Sequence, residues 1–185
     1  MIHYVRAYAT ALLAAIVVAT AAAPMASAAS AAELQREGQA ALKRLEASQK
    51  AARVLGSKAT AVLVFPSMLK AGFMFGGQIG EGVLFRKGKA VAYYNSVAAS
   101  YGLQAGAQTF GYALYFMNEA ALRQLDATEG FELGVGPSVV LVDEGLGKSI
   151  TTNTLTSEVY AFIFSQKGLM AGLGIQGSKI TRISK

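Results

Sequence analysis

After Thr60 the chain is a succession of short apolar runs separated by Gly, Asn or Pro. The runs are rich in β-branched and aromatic residues, which favour strands. In "EVYAFIF", Val159, Ala161 and Ile163 alternate with three aromatic residues, so both faces of this strand are apolar and both must be covered. The predicted strands are AVLVF, GFMFGG, GVLF, AVAYY, FGYALYF, FELGVG, SVVLV, EVYAFIF and KITRI.

Two helices are predicted to pack against this sheet. Ser30 and Glu33 have the spacing of a capping box, and helical periodicity continues from there to about Leu55. A second helix runs from about Asn118, a good N-cap residue, to Leu125. The fold class is therefore α+β: a strongly curved, glycine-rich antiparallel sheet or barrel-like core, with an N-terminal amphipathic helix and one or more further packed helices.

The N-terminal helix carries an apolar stripe and a basic stripe. Two interpretations of the apolar stripe stay open, because it could pack on the sheet or lie in the headgroup boundary of a membrane. The apolar stripe contains Leu34, Leu42, Leu45 and Leu55, and the basic stripe repeats every seven residues at Arg36, Lys43 and Lys50.

A literal G-x-G-x-x-G occurs at Gly172, Gly174 and Gly177. In a dinucleotide-binding loop this string opens a helix within a βαβ unit. Only eight residues follow Gly177, and they have the pattern of a terminal strand. We therefore assign these glycines to sheet curvature, bulges or close approach of another backbone.

The first 28 residues differ from the rest of the chain. Arg6 closes a short basic start, an apolar run covers Ala7 to Ala22, and small residues before position 29 suit a cleavage site. A retained anchor is the alternative, but the run is shorter than the ~20 apolar residues of a spanning helix. We expect a signal peptide over 1–28 that is removed, a single domain over 29–185, and export to the periplasm or cell envelope.

The residue types that are absent restrict the chemistry. There is no cysteine, and the only histidine is His3, inside the predicted signal peptide, which excludes a Ser-His-Asp triad, a Cys-His pair and the usual zinc sites from the mature chain. The S-x-x-K string from Ser67 to Lys70 lacks its companion motifs, and a Walker A-like string ending at Ser149 has Val142 where the loop requires Gly. We expect no enzymatic activity, no cofactor and no metal.

The predicted mature chain is basic. It has 16 basic and 11 acidic side chains, a formal charge of +5. This excess favours anionic partners. Nucleic acid is not expected among them, because no basic stripe interleaved with aromatic residues occurs. Three further positive charges lie in "RKGK", residues 86–89, which we interpret as a hairpin tip.

Three ordered blocks resemble a known family. "FPSMLKAGFMFGGQIGEGVLF", "YGLQAGAQTFG" and "SQKGLMAGLGIQGSKI" look like successive signature blocks of the SYLF domain, a lipid-binding module also described as an actin-binding domain. The resemblance runs from about Glu33 to the C-terminus, and it implies a non-enzymatic module that binds phosphoinositides or other anionic lipids. Eukaryotic relatives usually carry an aromatic-Ser-x-Pro-Ser stretch where this chain has 93–98 without Trp or Pro, so actin is not expected as a partner.

The resemblance also implies where phosphates are bound: on the helix near 34–58 and in the first block. We expect an exported module that associates peripherally with anionic phospholipid or a membrane surface. Two alternatives stay open: a structural or partner-binding protein of the cell envelope, and a carrier that encloses a small apolar ligand within the sheet. The candidate site residues are Arg36, Lys43, Arg44, Lys50, Arg53, Lys58 and Lys70.

Overall fold

The computed structural model describes residues 29–126, 131–132, 139–142, 156–169 and 178–185. These residues form three helices and a six-stranded mixed sheet that is curled into a half-barrel. The helices are α1 (Ala31–Ser48), α2 (Lys50–Gly56) and α3 (Glu119–Leu125). The strands are β1 (Ala61–Arg86), β2 (Lys89–Phe116), β3 (Phe131–Glu132), β4 (Val139–Leu141), β5 (Val159–Leu169) and β6 (Lys179–Ile183).

β1 and β2 form one long antiparallel hairpin that dominates the sheet. We call the end where Ala61 pairs with Phe116 the base, and the other end the turn. The turn consists of Lys87 and Gly88, which have φ values of 50° and 77°. Positive φ at both positions is typical of a type I′ turn, whose twist matches that of the two strands. The hairpin tip predicted at 86–89 is therefore confirmed.

Five of the runs predicted as separate strands are merged into these two long strands. Gly and Pro bend the strands at bulges and do not end them. Pro66 lies in the first bulge, where it does not have to donate to the ladder. The register shifts at three places, between Phe65 and Met68, between Phe73 and Phe75, and between Leu84 and Phe85.

The other strands assemble around β2. The base half of β2 pairs with β5 and its turn half pairs with β6, both antiparallel. β3 pairs antiparallel with β6, whereas β4 runs parallel to β5. The predicted α+β class and curved sheet are confirmed, and the β4–β5 pair makes the sheet mixed where a purely antiparallel one was predicted. β6 coincides with the predicted terminal strand KITRI.

At β5 the sheet is buried on both faces, as the pattern of "EVYAFIF" predicts. On β5, Val159 and Ala161 lie in a core that also contains Leu122 of α3, and we call it the α3 core. Tyr160 and Phe162 lie in the opposite core, beneath α1 and α2, which we call the α1 core. Because alternate residues of β5 enter the two cores, β5 shows no alternation of polar and apolar residues.

The hairpin curls so strongly that the two halves of β1 touch each other. In the α3 core, the ring of Phe65 from the base half lies against Gly82 in the turn half. A Cβ atom at position 82 would be 2.6 Å from Cδ1 of Phe65. The absence of a side chain at Gly82 therefore makes room for an aromatic ring of the same strand, which agrees with the role predicted for strand glycines.

Polar contacts join remote parts of the chain to the sheet. The hydroxyl of Tyr94 on β2 donates to Oδ1 of Asp126, at the end of α3, over 2.6 Å. Burial and this contact raise the pKa of Tyr94, so the hydroxyl stays a donor at neutral pH. Nζ of Lys185 donates to the carbonyl oxygen of Ala29 at 2.6 Å and to Oε2 of Glu81 at 2.8 Å. The last residue thus links β1 to the segment that precedes α1.

Several of the sequence predictions fall outside the described residues. They are the signal peptide at 1–28, the Walker A-like string that ends at Ser149, and the glycines of the G-x-G-x-x-G string. The segment that follows that string is described from Ser178, and it forms β6. A strand at this place agrees with the rejection of a dinucleotide-binding loop, which requires a helix there.

Replacing Gly82 by Ala tests the contact between the two halves of β1. We expect the free energy of unfolding to fall by about 1–3 kcal/mol, because the added methyl group would overlap the ring of Phe65. Gly77→Ala, in the same strand, is the matched control, since its Cβ would meet only the carbonyl oxygen of Ala98, at 3.4 Å. Urea denaturation measures both variants, and equal losses would show that close approach at Gly82 is not what matters.

Candidate anion-binding surface

The start of α1 is fixed by a local cap. The side chain of Ser30 accepts a hydrogen bond from the backbone N–H of Glu33 at 3.2 Å, as the predicted capping box requires. The predicted helix does not run unbroken to Leu55, because Gln49 is extended, with φ −124° and ψ 114°. α2 begins at Lys50, immediately after this break. The seven-residue basic repeat therefore continues across two helices and not along one.

The leucines of this segment belong to the protein core. Leu34, Leu45 and Leu55 are at most 2% exposed, and Leu42 is partly buried against the same α1 core. Of the two interpretations of the apolar stripe, packing on the sheet is correct. Insertion into a headgroup boundary is wrong for the folded domain, because these side chains already fill the space between the helices and the sheet.

The basic side chains of the same segment are all exposed. The apolar sides of α1 and α2 are turned toward the sheet, so their charged sides face solvent. With 18 residues, α1 alone is about 27 Å long at 1.5 Å per residue. The positive charges are spread over the outer side of the domain, an arrangement that suits an extended anionic surface. They are Arg36, Lys43 and Arg44 on α1, Lys50 and Arg53 on α2, and Lys58 just after α2.

Lys70, the seventh predicted site residue, lies apart from the other six. It is on the same side of β1 as Met68, which belongs to the α3 core, and it is only 6% exposed. α1 and α2 pack on the opposite face of the sheet. A phosphate contact by Lys70 stays a prediction that is separate from the helix surface. Ser67, the other end of the S-x-x-K string, is exposed, which does not favour a serine–lysine pair.

A cleft of about 580 Å³ opens between α1, the end of α2 and the β1–β2 turn. Lys43 of α1 and Lys87 of the turn bring positive charge to it from two different elements, and Glu46 brings one carboxylate. The sequence indicated a charged turn and a charged helix, but it gave no signal that they would share a cleft. Its apolar lining includes Leu42, Ala59, Val62 and Phe85.

The carboxylate of Glu46 is turned toward the end of α2. Its Oε1 would be 2.7 Å from a Cβ atom at Gly56, so a side chain at that position would displace it. Burial raises the pKa of Glu46 above its usual value of 4.5, and the positive charge of Arg53 offsets part of this shift. Burial, and secondly the charge of Glu46, raise the pKa of Tyr115 in the α1 core.

Within the described ranges, no helix combines the length and the apolarity needed to cross a bilayer. In the same part of the chain, no three His, Cys, Asp or Glu side chains are grouped as they would be around a metal ion. Two of its carboxylates are instead engaged with protein groups, Asp126 with Tyr94 and Glu81 with Lys185.

The described residues form a small α+β domain with exposed basic side chains on the outer side of α1 and α2. Residues 97–185 match the sequence profile of the family Ysc84, described as Las17-binding protein actin regulator. Over these residues the match confirms the resemblance to the SYLF domain. It includes most of β2 and all later strands, whereas α1, α2 and β1 precede it. Comparison with curated proteins gives no match.

Leu45→Ala tests whether the apolar stripe of α1 is core. We expect the free energy of unfolding to fall by about 2–5 kcal/mol, because a side chain that is 1% exposed would leave a cavity. Leu69→Ala is the matched control, since Leu69 on β1 is 46% exposed, and we expect a change within about 0.5 kcal/mol. A loss at Leu45 no larger than that at Leu69, measured by chemical denaturation, would contradict this placement.

Glu46→Gln tests the partial burial of this carboxylate. Because the folded-state pKa is raised, the ionised form destabilises the folded state above that pKa, and the penalty disappears as the pH falls toward 4.5. We therefore expect the variant to be more stable than the wild type at pH 7, with a difference that shrinks on acidification. Denaturation curves across this range measure it, and Glu37→Gln controls for loss of an exposed charge on the same helix. A difference that grows on acidification would contradict the assignment.

Proposed function

We propose that this protein is a peripheral lipid-binding module that binds anionic phospholipid surfaces through the outer side of α1 and α2. The observation that carries the proposal is that the six cations of this segment are exposed, while Leu34, Leu45 and Leu55 are buried in the α1 core. Because α1 and α2 are packed on the sheet, their positive charges are already arranged on one surface in the absence of a membrane. The family match supports a binding module over an enzyme.

The energetics of such binding are electrostatic. Each Lys or Arg near an anionic membrane contributes about 1 kcal/mol, so a few of the six are enough for reversible attachment. Three of the four leucines are fully buried in the core, so insertion of this apolar stripe into a membrane adds little. The attraction falls off within a Debye length of about 8 Å at physiological salt. Binding should consequently depend steeply on ionic strength.

From the predicted signal peptide we propose that this activity belongs to the periplasm or cell envelope, where neither actin nor nucleic acid is expected. A partner-binding protein of the envelope is the alternative that the description of the family favours, since it names the binding of a protein. A carrier of an apolar ligand is not favoured, because fully buried side chains such as Phe65, Tyr94 and Phe116 fill the α3 core of the described sheet.

Charge reversal on the helices tests the proposed function. We expect Lys43→Glu, Lys50→Glu and Arg53→Glu together to weaken binding to vesicles of anionic phospholipid by more than tenfold, from about 1 kcal/mol per lost charge. Co-sedimentation at moderate salt measures the binding, and circular dichroism checks that the fold is kept. Neutral phosphatidylcholine vesicles should bind neither protein.

The matched control reverses three exposed lysines elsewhere in the domain, Lys89, Lys167 and Lys179. It changes the net charge by the same amount, so it separates the helix surface from the overall charge. We expect it to weaken binding much less. Equal losses in the two triple variants would reject the helix surface as the lipid-binding element, and unchanged binding in the first would reject it as well.

A further inference from the structure

We propose that the cleft between α1 and the β1–β2 turn binds a single anionic amphiphile, with its anionic group between Lys43 and Lys87 and its apolar part on the cleft's apolar lining. The inference deepens the proposed lipid binding and rests on it. Beside the extended helix surface, it adds a defined site for one molecule. It also assigns part of the affinity to Lys87, a residue of the turn.

The two lysines of the cleft are brought together by the fold. Lys43 lies on the exposed side of α1, and Lys87 lies in the hairpin turn, where its positive φ is part of the turn geometry. Its neighbour Arg86 is paired with Glu119 of α3, on the other side of the hairpin. Lys89 is not among the residues that line the cleft. Of the three cations at the tip, Lys87 is the one that faces this site.

The size and lining of the cleft favour an amphiphile over a simple anion. A volume of about 580 Å³ lies within the roughly 300–1,000 Å³ of typical ligand pockets, and it is much larger than a phosphate ion requires. Leu42 and Ala59 are only partly buried, so their remaining surface would stay wet around a free anion, whereas an acyl chain would cover it. The carboxylate of Glu46 lies against Gly56, so it repels an anion from that end of the cleft and favours the lysines.

The test uses the chain without its first 28 residues and a probe that forms no membrane: dihexanoyl phosphatidic acid, kept below its micelle concentration. Backbone amide shifts in NMR report both the affinity and the place of binding. We expect the largest shifts around Lys43, in 57–62 and around the turn. Inorganic phosphate, titrated in parallel, should bind at least about tenfold more weakly, because it cannot cover the apolar lining.

Two variants change the cleft in different ways. Lys87→Asn removes the charge and keeps a residue that tolerates positive φ, and we expect affinity for the probe to fall about fivefold or more. Ala59→Phe keeps every charge and fills the cleft, and it should abolish binding of the probe. Lys89→Asn, which removes a charge just beyond the turn, is the matched control and should change the affinity less than about twofold.

The outcomes separate this inference from the proposed function. If the wild type binds anionic vesicles but not the monomeric probe, the cleft is rejected and the helix surface stands. If phosphate binds as tightly as the probe, the site is an anion site and the assignment of an amphiphile is rejected. Equal losses in Lys87→Asn and Lys89→Asn also reject it. Lys50→Glu and Arg53→Glu together reverse only charges of α2, which do not line the cleft. Loss of probe binding in Lys87→Asn, with vesicle binding unaffected by this double variant, supports the cleft and rejects the helix surface.

Discussion

Burial of both faces of one curled sheet is the constraint on which the other features depend. The α3 core and the α1 core share the strands β1, β2 and β5, whose alternate residues point into one core or the other. The α1 core is completed by Leu45 and Leu55, so α1 and α2 are structural parts of the domain. Once these leucines are committed to the sheet, the basic residues between them can only face outward.

This constraint gives the N-terminal segment two roles. It covers one face of the sheet, and it displays the charges with which we propose that the protein meets a membrane. The family match begins within β2 and does not include the segment. Even so, the buried leucines show that the segment is part of the domain's core. A variant that lacks it would expose Val64 and Phe85 of the α1 core.

The sequence predicted those elements that depend on interactions between residues close together in the chain. Ser30 and Asn118 were recognisable as helix caps, because each accepts a hydrogen bond from a backbone amide three residues later. The two-faced apolar pattern of "EVYAFIF" predicted both cores. The merging of the short strands could not be predicted in this way. The reason for a glycine at position 82 is its tertiary contact with Phe65, and the local sequence does not reveal that contact.

In the candidate site, too, features set by neighbouring residues were predictable and features set by tertiary contacts were not. Exposure of the basic stripe was predictable from helical spacing, whereas the break at Gln49 had no Gly or Pro to signal it. The meeting of Lys43 with Lys87 depends on how α1 lies over the hairpin, and spacing along the chain carries no information about that. A charged two-residue turn next to an apolar strand was the only local hint that the tip has a role of its own.

The long hairpin also has a consequence for how the chain folds. Its first pairs form across a two-residue turn, and hairpins of this kind close within roughly 1–10 μs. The partner of β2 at its base, β5, is far away in sequence, since Phe116 pairs with Val159. Closing a loop of that length is slower than closing the hairpin, so we expect the edge of β2 to stay unpaired until β5 docks. A chain in which the hairpin has closed before β5 has docked would present an open strand edge, to which a second copy could pair.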